Sequence, residues 1–208
     1  MVTFFDQIKV FPPKERIYSR LGYAKGITRL NPEQKDKIDD YIKKAEELID
    51  LKGAAARILI VKIDGSRVEL GDDIVFESKS LGELLIGCEE AFFMGVTAGS
   101  GIVKAIRDNF SNDDATYAVI LDAVVSETVD AGLAWIMNYF NRELYRQNKQ
   151  FTERRFSAGY GDFLLEYQKL ICRRLELERL GVSLTEAYML VPEKSVTAVC
   201  GIKTIIRK

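Results

Sequence analysis

The chain contains no histidine among its 208 residues. That absence excludes Ser-His-Asp and Cys-His catalysis and every metal site built on imidazole. Cysteine is also scarce: Cys88, Cys172 and Cys200 are odd in number, far apart and without Cys-x-x-Cys spacing. They argue against a disulfide framework or a zinc site, and they fit idle thiols in a reducing cytoplasm. A basic excess is missing, with 30 Lys and Arg against 31 Asp and Glu and a net charge of −1. A nucleic-acid-binding surface is therefore not expected. No apolar stretch is long enough to span a bilayer, and Met1-Val2-Thr3-Phe4-Phe5-Asp6 lacks the basic-then-apolar pattern of a secretory signal. Internal repeats, linkers and low-complexity segments are absent as well.

What is present is a globular composition, 47% hydrophobic and 29% charged. A chain of this length buries a sizeable core, and residues 1–208 read as one domain. Residues 1–30 are poorly periodic, and Pro12-Pro13 breaks any regular element there. Phe4, Phe5, Ile8, Val10 and Phe11 suit an early strand, while Arg20, Lys25 and Arg29 read as solvated loop charges. Asn31-Pro32 is a strong helix start, a capping residue followed by proline at the first helical position. Ile38, Tyr41, Ile42, Ala45, Leu48 and Ile49 then share one face, which predicts a helix over 32–51 ended by Gly53.

A β-rich block follows. Arg57 to Ile63 is an apolar, branched run, Asp64-Gly65 a turn signal, and Val68 to Leu70 a return strand. Ile74 to Phe76 reads as a further strand, Ser78 to Gly87 as a short helix on Leu81, Leu84 and Leu85, and Glu90 to Thr97 as a buried strand. Thr97-Ala98-Gly99-Ser100-Gly101 is a glycine-rich turn into Ile102 to Ile106, able to present N–H groups to an anion or to line a cleft. Rossmann spacing is missing and no Gly-Lys-Ser/Thr follows, so a tight turn is the simpler reading.

Asn112-Asp113-Asp114 caps the longest predicted helix, about 114–148. Its apolar stripe runs Ala118, Leu121, Val125, Val129, Gly132, Ile136 and Tyr139, and the small residues Ala123, Ser126, Ala131, Gly132 and Ala134 permit close approach of a neighbour. The acids Asp122, Glu127 and Asp130 fall at helical spacing and read first as a solvated face that suits the helix dipole. Arg142 to Lys149 reads as its exposed, basic end.

The segment Arg155-Phe156-Ser157-Ala158-Gly159-Tyr160-Gly161-Asp162 carries an arginine at its head and two glycines around a tyrosine. Glycine allows φ > 0 or a close backbone approach to a ligand. Asp162 reads as the cap of a helix over 163–180, which Gly181 ends. That helix carries Leu164, Tyr167, Ile171 and Leu175 inward, with Arg173, Arg174, Glu176, Glu178 and Arg179 on its solvated side. Ala187 to Val191 and Val196 to Ile202 read as a hairpin around Pro192-Glu193-Lys194-Ser195.

The order Arg155-x-x-x-Gly159-Tyr160, a helix, then Leu184-Thr185-Glu186-Ala187-Tyr188, Pro192 and Ser195-Val196 resembles the C-terminal activation domain of cobalamin-dependent methionine synthase. The resemblance is specific over 155–196, about a fifth of the chain, and general before it. It implies that the Arg155 to Tyr160 run is an S-adenosylmethionine site. Arg155 would pair with the ligand carboxylate, backbone groups around Ser157, Ala158 and Gly159 would hold it, and Tyr160 would face the nucleoside or the corrin. The family's long-helix glutamate falls on Asp130 or Glu127. A second family glutamate has no clean counterpart, because Lys149 stands near its place and Glu153 lies closer in. Nothing here matches the family's Ser-His-Pro and tyrosine segment.

The resemblance therefore implies an accessory module that supports reductive methylation of oxidised cobalamin in methionine synthase. With no histidine to sit beneath cobalt, cobalamin would be carried by a partner chain that docks transiently. The alternatives are an interaction module for a corrinoid protein that has lost ligand binding, or a reactivator of another corrinoid methyltransferase. The expected fold is α+β: a twisted, mainly antiparallel sheet from 57–76, 90–97 and 186–202, packed by helices 32–51, 114–148 and 163–180.

Overall fold

The computed structural model describes residues 1–24, 26–111 and 114–205. Lys25, Asn112 and Asp113, which figured among the loop charges and the helix cap, lie outside the described residues. The centre is a seven-stranded antiparallel sheet in the order β4-β3-β2-β5-β9-β6, with β1 on the flank of β2. Its strands are β1 (Val2–Phe5), β2 (Lys52–Asp64), β3 (Arg67–Leu70), β4 (Val75–Glu77), β5 (Glu90–Thr97), β6 (Lys149–Phe151) and β9 (Ser195–Thr204). Two short strands, β7 (Ser183–Leu184) and β8 (Leu190–Val191), pair only with each other. The α+β fold with a mainly antiparallel sheet is thus the one expected.

Every residue of β5 is buried, because helices cover both faces of the sheet. Phe92, Met94 and Val96 point into one core with α1 (Lys14–Arg20), α2 (Pro32–Leu48), α4 (Ser100–Ser111) and α5 (Ala115–Arg146). Ala91 and Phe93 point into the other, with α3 (Lys79–Leu85) and α6 (Gln168–Arg174). Side chains alternate faces along a strand, so a continuous apolar run is what a doubly covered strand requires.

Several elements formed as read. Asn31 accepts from Gln34 N while Gln34 Oε1 accepts from Asn31 N, a reciprocal capping box with Pro32 behind it. Asp64-Gly65 turns β2 into β3, and Asp114 caps α5 by accepting from Tyr117 N at 3.1 Å. No helix among the described residues is long and apolar enough to cross a membrane.

Others did not. Only Val2–Phe5 of the N-terminal apolar residues is strand, and Pro13 opens a helix, α1, instead of ending regular structure. Proline is tolerated at a helix start because no intrahelical donor is lost there. Gly53 does not end α2, which stops at Leu48; it lies inside β2 beneath α5. A Cβ on Gly53 would stand 2.9 Å from Ile136 Cδ1, and one on Gly132 would stand 3.0 Å from Val96 Cγ1. The predicted helix over 163–180 is broken into 3₁₀ turns at Leu165–Tyr167 and Leu177–Leu180 around α6. Asp162 caps α3 rather than that segment, accepting from Lys79 N at 2.6 Å and from Ser78 Oγ at 2.9 Å. The hairpin expected across Pro192 does not form either: β8 returns on β7, and β9 enters the main sheet between β5 and β6.

The far end of α5 is tied to the sheet by charge. Arg57 grips Glu90 with two hydrogen bonds, 2.7 and 2.8 Å, and reaches Glu143 and Gln147 on and just beyond α5. Lys149 Nζ lies 2.8 Å from both Glu89 and Glu90. The Arg57 hydrogen bonds, with help from Lys149, hold the largely buried Glu90 carboxyl down at about 2. A carboxylate depressed on folding contributes stability that is present above its unfolded pKa and lost as pH falls through the folded one. Glu90→Gln should therefore melt below the parent at pH 7, and the deficit should shrink as pH falls from 4.5 towards 2. Melting curves over that range check this, and a deficit independent of pH would contradict it.

Candidate functional site

The site is built where α5, the segment after β6 and the start of β9 meet. Phe156 anchors the segment by exchanging backbone hydrogen bonds with Val199, at 2.8 and 2.7 Å. Ser157 Oγ donates to the Thr197 carbonyl at 2.7 Å, and Ala158 is buried in the α6-side core. The chain then turns tightly, with Gly159 N donating to Phe163 O at 2.7 Å. Gly159 and Gly161 sit at φ 94° and 55°, the left-handed region where glycine carries no Cβ penalty. Tyr160, between them, is 68% exposed.

These elements enclose a cleft of about 520 Å³. It is lined by Asp130 and Leu133 of α5, by Arg155, Ser157, Ala158 and Tyr160, and by Gln168, Met189, Leu190, Glu193 and Ser195 to Thr197. Five of the residues expected at a ligand site from sequence, Arg155, Ser157, Ala158, Tyr160 and Asp130, therefore share one cavity. Three do not line it. Gly159 shapes the turn beside it, and Glu127 is sealed under α1. Glu153 faces an adjoining cleft of about 740 Å³ with Arg154, Lys203 and Glu83, which shares Arg155 and Phe156 with the first. The glycine-rich turn at 97–101 is also away from the cavity, with Gly99 packed at φ 78° against Asp50. Lys149, near the place of the second family glutamate, belongs to the Glu89–Glu90 network.

The acids of α5 are not a solvated face. Asp130 is held by two guanidiniums: Arg155 Nη2 on Oδ1, and Arg16 Nη2 on Oδ2 at 2.6 Å. Glu127 accepts from Arg20 Nη1 at 3.0 Å. Its Oε2 lies 2.8 Å from Arg16 Nε, a charge contact out of line for a hydrogen bond. Asp122 pairs with Lys194 Nζ at 2.6 Å. Arg20, read as a solvated loop charge, is thus part of the clamp that α1 places on α5. Burial works against the Asp130 carboxylate, but Arg16 and Arg155 outweigh it and hold the carboxyl below its ordinary range. Three guanidiniums, Arg16, Arg20 and Arg155, face two carboxylates, Glu127 and Asp130, which leaves one surplus positive charge.

Sequence reading missed Gln168, Met189, Leu190, Glu193 and Thr197 as lining residues. Gln168 lies four residues after Leu164 and three before Ile171, on the face read as inward, but only the crossing of α6 over β9 shows that its polar side chain is buried there. Arg16 was hidden because α1 itself was not expected.

No protein-family model matches the chain, and no curated protein matches it in sequence. In structure, the chain has an α+β fold of the reactivation-domain type. It is similar over 100% of its length to 80% of the MetH reactivation domain solved bound to AdoHcy, with a TM-score of 0.70 and 14% identity. The chain thus shares the fold of that domain.

The double clamp on Asp130 makes a direct prediction. Arg16→Gln removes one of the two guanidinium contacts, so the Asp130 pKa should rise. A carboxyl titration followed by NMR reads it, and an unmoved or lower value would contradict the clamp.

Proposed function

We propose that the chain is an S-adenosylmethionine-binding module that supports reactivation of a cobalamin-dependent methionine synthase. The observation that carries this reading is the Arg155–Asp130 pair at the wall of a cleft of about 520 Å³, in a fold whose solved relative is a reactivation domain bound to AdoHcy. An α-amino acid end carries one carboxylate and one ammonium, and a guanidinium beside a carboxylate is complementary to it. Arg155 would take the carboxylate in a forked, charge-assisted contact. Asp130 would take the ammonium, with Arg16 remaining on its second oxygen. The surplus positive charge of the cluster favours the carboxylate further.

Leu133, Leu165, Met189 and Leu190 offer the apolar surface that a nucleoside ring needs, and Ser157 and Ser195, whose hydroxyls donate to Thr197 and Thr97, keep their oxygens as acceptors. Tyr160, exposed at the rim, is placed to meet what docks over the cleft. The bound sulfonium would supply the methyl group for a reduced cobalt centre held on the partner chain. This chain's own residues would bind, orient and shield, since a cobalt nucleophile calls for alignment and not for a protein base. The three cysteines are free, and burial pushes Cys172 up to about 11 and Cys200 up to about 12, so their thiols remain protonated bystanders.

A second reading is an interaction module for a corrinoid protein without ligand binding. It draws on Lys149, which occupies a structural ion network where the family carries a ligand-facing glutamate. Calorimetry separates the two. Arg155→Ala should weaken S-adenosylmethionine at least tenfold, about 1.4 kcal/mol. Equal affinity in parent and variant would remove Arg155 from the site, and absence of binding in the parent would favour the interaction module.

A further inference from the structure

Gln168 opens α6 from inside the protein: it is 7% exposed, yet it lines the cleft. Its Oε1 accepts from the Thr197 hydroxyl at 2.5 Å. Thr197, 1% exposed, is fixed in turn, since its carbonyl accepts from Ser157 Oγ and its strand pairs with Gly95 of β5. The carboxamide is therefore oriented, with its oxygen committed to the strand. Its Nε2 makes no hydrogen bond among the described residues and is not sealed from solvent, and the residue lines the cleft, so its two hydrogens are free for a ligand there.

Buried polar side chains are normally satisfied, and an amide nitrogen carries two donors. A donor held ready at a cleft wall calls for an acceptor on whatever fills the cleft. Of the other residues lining the cleft, Leu165, Met189 and Leu190 are apolar, whereas Arg155, Asp130 and Glu193 are charged. The cleft thus offers charged groups suited to an amino acid end and, besides them, a neutral donor and apolar side chains. Flat heteroaromatic rings with nitrogen acceptors match the latter.

We propose that Gln168 is a specificity-determining residue, its amide N–H group donating to a ring nitrogen or hydroxyl of the nucleoside half of the ligand, with Thr197 holding it in place. This rests on the nucleoside-binding reading above. A site built around a hydrogen bond to its ligand discriminates strongly against ligands that cannot complete it.

The test compares two probes by calorimetry: S-adenosylhomocysteine, and 5′-methylthioadenosine, which keeps the nucleoside but has no amino acid end. Gln168→Glu keeps the size and the acceptor for Thr197 and removes the amide hydrogens; Gln168→Leu removes both functions. Both variants should weaken both probes at least tenfold, about 1.4 kcal/mol, whereas Arg155→Ala should weaken only S-adenosylhomocysteine. Melting curves establish that each variant is folded, and the near-isosteric Gln168→Glu decides if Gln168→Leu is not. Affinities within about twofold of the parent for folded Gln168→Glu would overturn the inference alone. Loss of S-adenosylhomocysteine with 5′-methylthioadenosine unaffected would also overturn it, by moving Gln168 to the amino acid end. A parent that binds neither probe would overturn the nucleoside reading and this inference with it.

Discussion

The cleft exists because α5 lies close against the sheet, and that closeness depends on reciprocal missing side chains. Gly53 in β2 leaves room for Ile136 of the helix, and Gly132 of the helix leaves room for Val96 of β5. Packed interiors have no spare volume at such contacts, so each added methyl would displace the helix or a neighbouring side chain. Asp130 lies two residues before Gly132 on the same helix, and its distance from Arg155 is set by how α5 sits on the strands. On the opposite face, Gly95 receives Leu177 with a Cβ-to-Cδ2 clearance of 3.0 Å, so the same central strands are approached closely from both sides.

Charge completes what packing begins. Arg57, Glu90 and Lys149 secure the C-terminal end of α5 and the strand from which the Arg155 segment departs. Arg16 and Arg20 of α1 secure its middle through Glu127 and Asp130. A buried ion pair contributes little net stability on average, because desolvation offsets the attraction, but a broken one is costly. Both clusters are therefore best understood as fixing geometry. They hold a guanidinium and a carboxylate at one wall of a cavity whose other residues are mostly apolar or neutral.

Much of this was legible from local chemistry. β5 announces itself as a continuous apolar run, α2 through Asn31-Pro32, and α5 through its stripe and small residues. The motif from Arg155 to Tyr160 located one wall of the cleft. What was not legible depended on tertiary contacts. Leu175 and Leu177 are both buried, 0% and 2% exposed, though two residues apart on a helix they would face different ways. Glu176 takes φ 51° between them, and the helix breaks so that both enter the core. Asp162 looked like the cap of the segment it precedes, but the N–H groups it satisfies belong to α3, 82 and 83 residues earlier. Thr185 accepts from Met189 N through its hydroxyl and donates to Met189 O through its backbone, closing β7 on β8 and leaving β9 free for the main sheet. Glu127 and Asp130 could not be separated by spacing alone; burial under α1 separates them.

The central claim is that one cleft, between α5 and the Arg155–Tyr160 segment, holds an S-adenosyl amino acid. The most direct measurement is an amide NMR titration of the unaltered protein with S-adenosylmethionine. The account predicts saturable shifts concentrated at residues 155–160, 168, 189–190 and 195–197 and around Asp130. Shifts concentrated instead at Thr152 to Arg154 and Lys203, in the other cleft, or no saturable shifts at all, would contradict it.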